Sequence, residues 1–218
     1  MRNIRITGKG KIKLNPDLTR ITISLSGKYR DYENALKKSS EDTATLKTLL
    51  ANLGFDPSDV RTLYFNVNTE YENYQKHGTW QQRFSGYRYH HTLKCEFPSD
   101  NDRLGRILYE LANCSVNPEF RISYTVSDPE SAKNRLLGEA VKDASAKADV
   151  LTKSAGVSLK DIQSIDYSWG EINFEVSPVN RSFMAPTASL NETAAYPVDI
   201  EPDDIEVTDT VTVVWEIA

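Results

Sequence analysis

The amino-acid sequence predicts an α+β fold of two β-α-β-β halves joined by a helix, with mixed or antiparallel sheets packed on the helices. Three observations predict it. Several runs alternate apolar and polar residues, the period of a half-buried strand. Three other stretches place apolar residues at i, i+3 and i+4, one face of a helix. The landmarks of the first half also recur in the second, at an offset of 102 residues.

Ile4 and Ile6 alternate with polar neighbours, Gly8-Lys9-Gly10 interrupts, and residues 11–14 resume the alternation. The interruption reads as a bulge or turn between two strand segments. Asn15-Pro16-Asp17 is a turn, after which Ile21, Ile23 and Leu25 mark a strand over 18–26. A helix is predicted over 31–53 from Ala35, Leu36, Leu46, Leu49 and Leu50, ended by Gly54 just past its C-terminus. Residues 60–74 and 84–97 read as two long strands of a hairpin. Leu104, Ile107, Leu108 and Leu111 give a helix over 100–113, and 120–126 is a strand. The longest helix spans 129–155, with Asp128 as N-cap, Pro129 in the first turn and Gly156 past the end. Strands are predicted over 162–176 and 207–217, with a Pro- and acid-rich loop over 177–206 between them.

The recurrence is local. Leu53-Gly54-Phe55 with Asp59-Val60-Arg61-Thr62-Leu63 matches Ala155-Gly156-Val157 with Asp161-Ile162-Gln163-Ser164-Ile165. Ile23-Ser24-Leu25-Ser26 and Tyr124-Thr125-Val126-Ser127 precede the two matching helices. Two matching halves indicate a duplicated unit, each burying one sheet face under its helix. The expected division is 1–98 for the first half with its aromatic hairpin, 99–117 for a connecting helix, and 118–218 for the second half.

With these landmarks placed, the chain resembles the SIMPL-domain family, which includes bacterial YggE-like proteins. The matching stretches are Gly8-x-Gly10, Pro16-Asp17-Leu18, Leu53-Gly54 with Asp59-Val60-Arg61-Thr62, Gly86-Tyr87-Arg88, Ser127-Asp128-Pro129, residues 140–156 and Val211-Thr212-Val213. They run in order across nearly the whole chain. The resemblance implies an α+β fold, ring-like or channel-like oligomers in some members, and no established catalytic residues. It links bacterial members to tolerance of oxidative stress, and an animal member to kinase signalling through protein contacts. Bacterial relatives are commonly exported.

Charge and composition exclude several classes. Lys and Arg number 26 against 31 Asp and Glu, a net charge of −5 and a pI near 5.3, where a general nucleic-acid binder is normally basic. The apolar runs are too short for a transmembrane helix. The opening residues carry no apolar core of a signal peptide, so the sequence as written predicts a cytoplasmic protein, or a periplasmic or extracellular one if a leader was removed. Within the chain the charge is uneven. Residues 1–30 hold eight basic side chains and one acid, Asp17, whereas 182–218 hold eight acids and no Lys or Arg. Both segments carry strand patterns, so the two ends are expected to meet, in one subunit or across a subunit contact.

The candidate interface is the hairpin over 64–91, which concentrates large rings in polar sequence. Tyr71, Tyr74, Trp80, Phe84 and Tyr87 are the residues expected to make it, because Tyr and Trp bury much area at low entropic cost. Ordinary cross-strand pairing of the rings is the plain alternative. His90 and His91 are neighbours on a strand, point to opposite faces and cannot chelate one ion together. No metal set of suitable spacing, cofactor loop or catalytic constellation is visible. Cys95 and Cys114 read as structural thiols. Asp203-Asp204 reads as solvated charge. The function expected is a non-enzymatic homo-oligomer of unknown molecular role, which the resemblance ties to stress tolerance. A ligand-binding or enzymatic domain with a cleft between the halves, and a signalling adaptor acting through the acidic loop, are the alternatives.

Overall fold

A computed structural model describes residues 2–167, 170, 172–178 and 200–218. In chain order the elements are β1 (Arg2–Leu14), β2 (Leu18–Tyr29), α1 (Tyr32–Asn52), β3 (Arg61–Lys76), β4 (Thr79–Pro98), α2 (Asn101–Ala112), β5 (Glu119–Thr125), α3 (Pro129–Ala155), β6 (Leu159–Tyr167), β7 (Glu175–Val176) and β8 (Ile205–Ile217). The fold is α+β with two antiparallel sheets. Residues 179–199, most of the expected acidic loop, lie outside the described residues.

The chain divides into two compact units, one of residues 1–17, 124–176 and 202–218, the other of 18–123 and 177–201. These boundaries differ from a division at residue 98, because β1 pairs with the last strand and not with its sequence neighbour. In the central unit β3, β4 and β2 lie in that order, with β5 beyond β2. In the terminal unit the order is β6, β8, β1. The three-strand patterns correspond, with β1 taking the place beside β8 that β2 takes beside β4.

In the central unit, β2 and β4 pair from Leu18↔Pro98 to Tyr29↔Tyr87. Ile21, Ile23, Leu25 and Leu93 then face Leu46 and Leu50 of α1 in one buried cluster. Gly54 follows α1 with φ +82, the left-handed geometry expected of a residue past a helix end. At α2, the Asp100 carboxylate accepts the Arg103 N–H at 3.0 Å, an N-cap the sequence pattern did not single out. Leu104, Ile107 and Leu111 seal that end of the core, and the Arg103 guanidinium lies 4.5 Å from the Phe55 ring.

The terminal unit rests on the chain's two ends. β1 and β8 pair without a register shift from Arg2↔Ile217 to Leu14↔Ile205. Lys11 meets Glu206 at 2.8 Å and Lys13 meets Asp204 at 2.7 Å, so the basic and acidic ends meet within one chain. Asp204 is therefore a partner of Lys13, not free solvated charge. Gly8 and Gly10 do not break β1, which corrects the expected bulge or turn. A Cβ on Gly8 would lie 2.0 Å from the Ala140 carbonyl oxygen, and one on Gly10 2.2 Å from that of Leu136. The glycines therefore serve close approach of the strand to α3, whose buried stripe is Ala132, Leu136, Ala140, Ala144 and Ala148.

The expected strand over 162–176 is instead two elements, β6 and β7. β6 carries register shifts after Leu159 and Ile162, and β7 pairs with the end of β5, Tyr124↔Val176. Alternation alone could not reveal that the chain leaves one ladder for another. Two motifs quoted for the family resemblance also come together here. The Asp17 carboxylate accepts the Ser127 N–H at 2.7 Å and the Ser127 hydroxyl at 2.6 Å, while Asp128 caps α3 by accepting the Ser131 N–H at 2.8 Å. Pro16-Asp17 and Ser127-Asp128-Pro129 are thus one local device that fixes the start of α3.

The outer edge of β1 is partly occupied by α3. Asp143 accepts the Lys9 N–H at 2.7 Å and pairs with Lys147 at 2.7 Å; Lys147 also donates to the Thr7 carbonyl at 3.4 Å. The Lys147 ammonium and the Lys9 N–H hold the Asp143 carboxyl below its ordinary 3.8. A depressed carboxyl stabilises the fold above its unfolded pKa and loses that contribution as pH falls through the folded value. Asp143→Asn is accordingly expected to lower the melting temperature at neutral pH, with the difference from wild type closing below about pH 4. Thermal melts of both proteins across pH 3–7 check this; a difference independent of pH refutes it.

Candidate interaction surface

The β3–β4 hairpin is longer than the sequence pattern indicated. Its strands run to Lys76 and from Thr79, joined by His77 and Gly78 at φ 50 and 78. Two consecutive left-handed residues form the turn that matches the twist of a two-residue hairpin. β2 ends opposite Tyr87. From Glu70 and Gly86 outward the hairpin is therefore a two-stranded arm. At its root, Glu70 faces Gly86 and Tyr71 faces Phe84, leaving Ser85 as an extra residue. Gly86 has φ +140, and a Cβ there would lie 2.5 Å from the Tyr29 carbonyl oxygen, so only glycine suits this bulge.

The bulge sets which side chains share a face. Directly opposed residues in an antiparallel pair point to the same side, and successive residues alternate. Tyr71 and Phe84 lie opposite each other, and Trp80, opposite Gln75, falls on the same face. The rings Tyr32, Tyr87, Phe84 and Tyr71 follow one another edge to face, with centroids 5.4, 5.2 and 6.1 Å apart. Tyr71 is 60% exposed, Trp80 70%, Phe84 47% and Tyr32 50%. This row continues the sheet face that α1 covers, and α1 starts only at Tyr32. Four rings at these exposures leave roughly 450 Å² of aromatic surface open, in the range of patches that mark interaction sites.

The opposite face of the arm is polar. Arg83 pairs with Glu72, Arg88 pairs with Glu70, and Lys28 reaches Glu70 at 3.3 Å. Hydrogen bonding to Arg88 holds the Glu70 carboxyl below the usual carboxylate range. Tyr74 lies on this face. Its hydroxyl donates to Gln81 at 2.9 Å, and the Arg83 guanidinium stands 5.4 Å from its ring. The five expected residues are therefore divided: Tyr71, Trp80, Phe84 and Tyr87 share a face, and Tyr74 supports the arm from behind. The sequence pattern missed Tyr32, because it lies in a helix forty residues earlier. Tyr74, three residues from Tyr71 on one strand, takes the other face by alternation, and the Ser85 bulge brings Tyr87 onto the face of Phe84.

The remaining candidates fall elsewhere. Tyr89 is buried in the core. His91 is held between the Thr43 and Thr62 hydroxyls at 2.9 Å each, and burial lowers its pKa. His90 is on the other, exposed side of the strand. No group of three or more His, Cys, Asp or Glu is placed to hold a metal among the described residues. Cys95 and Cys114 are both buried, and burial pushes the Cys95 thiol up to about 12. No helix among the described residues is long and apolar enough to cross a membrane.

Comparison with known proteins covers nearly the whole chain. The model of the SIMPL family, described as "Protein of unknown function (DUF541)", matches residues 4–215. The "Uncharacterized protein YggE" of Edwardsiella ictaluri is 26% identical over 212 residues, 97% of this chain and 85% of that protein. The "26 kDa periplasmic immunogenic protein" of Brucella melitensis is 23% identical over 163 residues, 74% of this chain and 65% of that protein. The protein of that name from Brucella abortus matches to the same extent.

Proposed function

The chain belongs to the SIMPL family of proteins of unknown function, and from that premise we propose that it works as a non-enzymatic homo-oligomer whose subunits meet through the aromatic face of the β3–β4 arm. The observation that carries this reading is the division of the arm into an exposed row of Tyr71, Phe84 and Trp80 and an ion-paired back. A two-stranded ribbon alone is only marginally stable in water. Burying its aromatic face against another subunit removes apolar surface from water and steadies the arm at once.

Stress tolerance is assigned to this assembly and not to thiol chemistry, since a sensor thiol needs exposure and a lowered pKa, the reverse of Cys95. The compartment proposed is the periplasm, supported by the printed names of the two Brucella relatives.

Light scattering coupled to size-exclusion chromatography tests the reading. The wild-type protein is expected to elute as an oligomer at micromolar concentration, and Trp80→Ala with Phe84→Ala to weaken assembly at least tenfold. Tyr74→Ala is expected to leave the oligomer's mass unchanged. A monomeric wild type, or equal effects from the two faces, overturns the proposal.

A further inference from the structure

A second surface lies in the terminal unit and owes nothing to the assembly reading. Asp143 and Lys147 fill only the upper part of the outer edge of β1. In an antiparallel ladder alternate residues direct N–H and C=O to the partner strand, and those between direct both outward. The Lys9 N–H and the Thr7 carbonyl point outward, to Asp143 and Lys147. Since β1 runs beside β8 without a register shift, Lys11 and Lys13 present their N–H groups along the same edge. No acceptor among the described residues meets either one.

An open groove of about 420 Å³ lies at this unoccupied length, lined by Lys11, Lys13, Arg135, Gly138, Glu139 and Lys142. On the helix wall Arg135 and Lys142 face one acid, Glu139, which is bound to Lys142 at 2.7 Å. Lys11 and Lys13 line the strand wall, with their ammoniums on the sheet face away from α3. Lys11 and Lys13 carry Glu206 and Asp204 as partners. Arg135 makes no ion pair among the described residues. Gly138 is the second sign. It sits in mid-helix, where glycine weakens a helix relative to alanine. A Cβ there would meet nothing within 4 Å. Packing within the protein does not call for this glycine, whereas any side chain would project into the groove.

We propose that the groove between β1 and α3 binds a short extended acidic peptide, which adds as a strand to the open end of β1. Its carbonyls accept the Lys11 and Lys13 N–H groups, as the Asp143 carboxylate accepts that of Lys9. Its carboxylates lie against Arg135 and Lys142. Strand addition supplies main-chain hydrogen bonds, and the surrounding charges select the sequence. Asp143 and Lys147 end the register, so only a few residues can pair.

Isothermal titration of the full chain with acetyl-pentaglutamate amide tests this. Binding is expected, with at least tenfold loss for Arg135→Glu and for a peptide N-methylated at alternate amides. Gly138→Leu is expected to raise the melting temperature by roughly 2 °C while weakening binding at least tenfold, a combination that loss of folding cannot produce. The proposal is overturned by absence of binding, by equal affinity of the N-methylated peptide, by wild-type affinity in Arg135→Glu or Gly138→Leu, or by displacement with equimolar inorganic phosphate, which would mark a simple anion site.

Discussion

Gly8→Ala is expected to destabilise the protein by about 3 kcal/mol, lowering the melting temperature by roughly 6–12 °C. The added carbon would stand 2.0 Å from the Ala140 carbonyl oxygen, 2.5 Å from the Ala144 nitrogen and 2.7 Å from the Ala144 Cβ. The two closest contacts are main-chain atoms of a helix, which cannot turn aside as a flexible side chain can. Strand and helix must separate, and the packing of Ile6 and Val213 against Ala140, Ala144 and Ala148 opens with them. Adding Ala144→Gly to Gly8→Ala removes only the third contact and is expected to restore little. Thermal and urea denaturation of the single and double variants decide the matter. A melting temperature within a degree of wild type, or full rescue by Ala144→Gly, shows the approach to be looser than the geometry states.

Tyr89→Ala is expected to cost about 3–5 kcal/mol, and Tyr89→Phe about 1.5 kcal/mol. The ring is 1% exposed, stacks on Tyr29 with centroids 6.4 Å apart and covers Gly27, where a Cβ would lie 2.7 Å from it. Its hydroxyl donates to the Asp42 carboxylate of α1, joining helix to sheet. Truncation to alanine removes ring and hydrogen bond together, leaving a cavity and an unpartnered carboxylate. Phenylalanine removes the bond alone. Burial, with Asp42 second, raises the phenol above its ordinary 10. A raised pKa contributes stability below the unfolded value and loses it as pH rises through the folded one. The advantage of Tyr over Phe is therefore expected to hold at neutral pH and to shrink above pH 10. Urea denaturation of the three proteins at pH 7 and pH 11 measures it; indistinguishable midpoints for Tyr and Phe at pH 7 remove Asp42 from the account.

How much of this was legible in the sequence depends on the range of the contact concerned. Helix spacing, Asp128 and Gly156 placed α3 residue by residue, because caps and periodicity are written within one element. The charge of the two ends announced that they meet, and β1 with β8 bears this out. The Gly8-Lys9-Gly10 stretch was misread for the opposite reason: its partner, α3, lies more than a hundred residues away. The candidate surface divides the same way. Its rings were evident from composition, and alternation separates Tyr74 from Tyr71, but that Tyr87 shares a face with Phe84 depends on the Ser85 bulge, and Tyr32 joins them only through folding.

The sequence by itself determined the three helices and their order among the strands, the family and the aromatic content of the hairpin, since these follow from local periodicity, turn chemistry and residue type. Tertiary structure alone decided that β1 belongs beside β8, that two glycines serve close packing and not a turn, and that the candidate residues Tyr87 and Phe84, three apart in β4, share a face. Each depends on which strand lies beside which and in what register, and a single bulged residue can reverse that register without leaving a periodic trace in the chain.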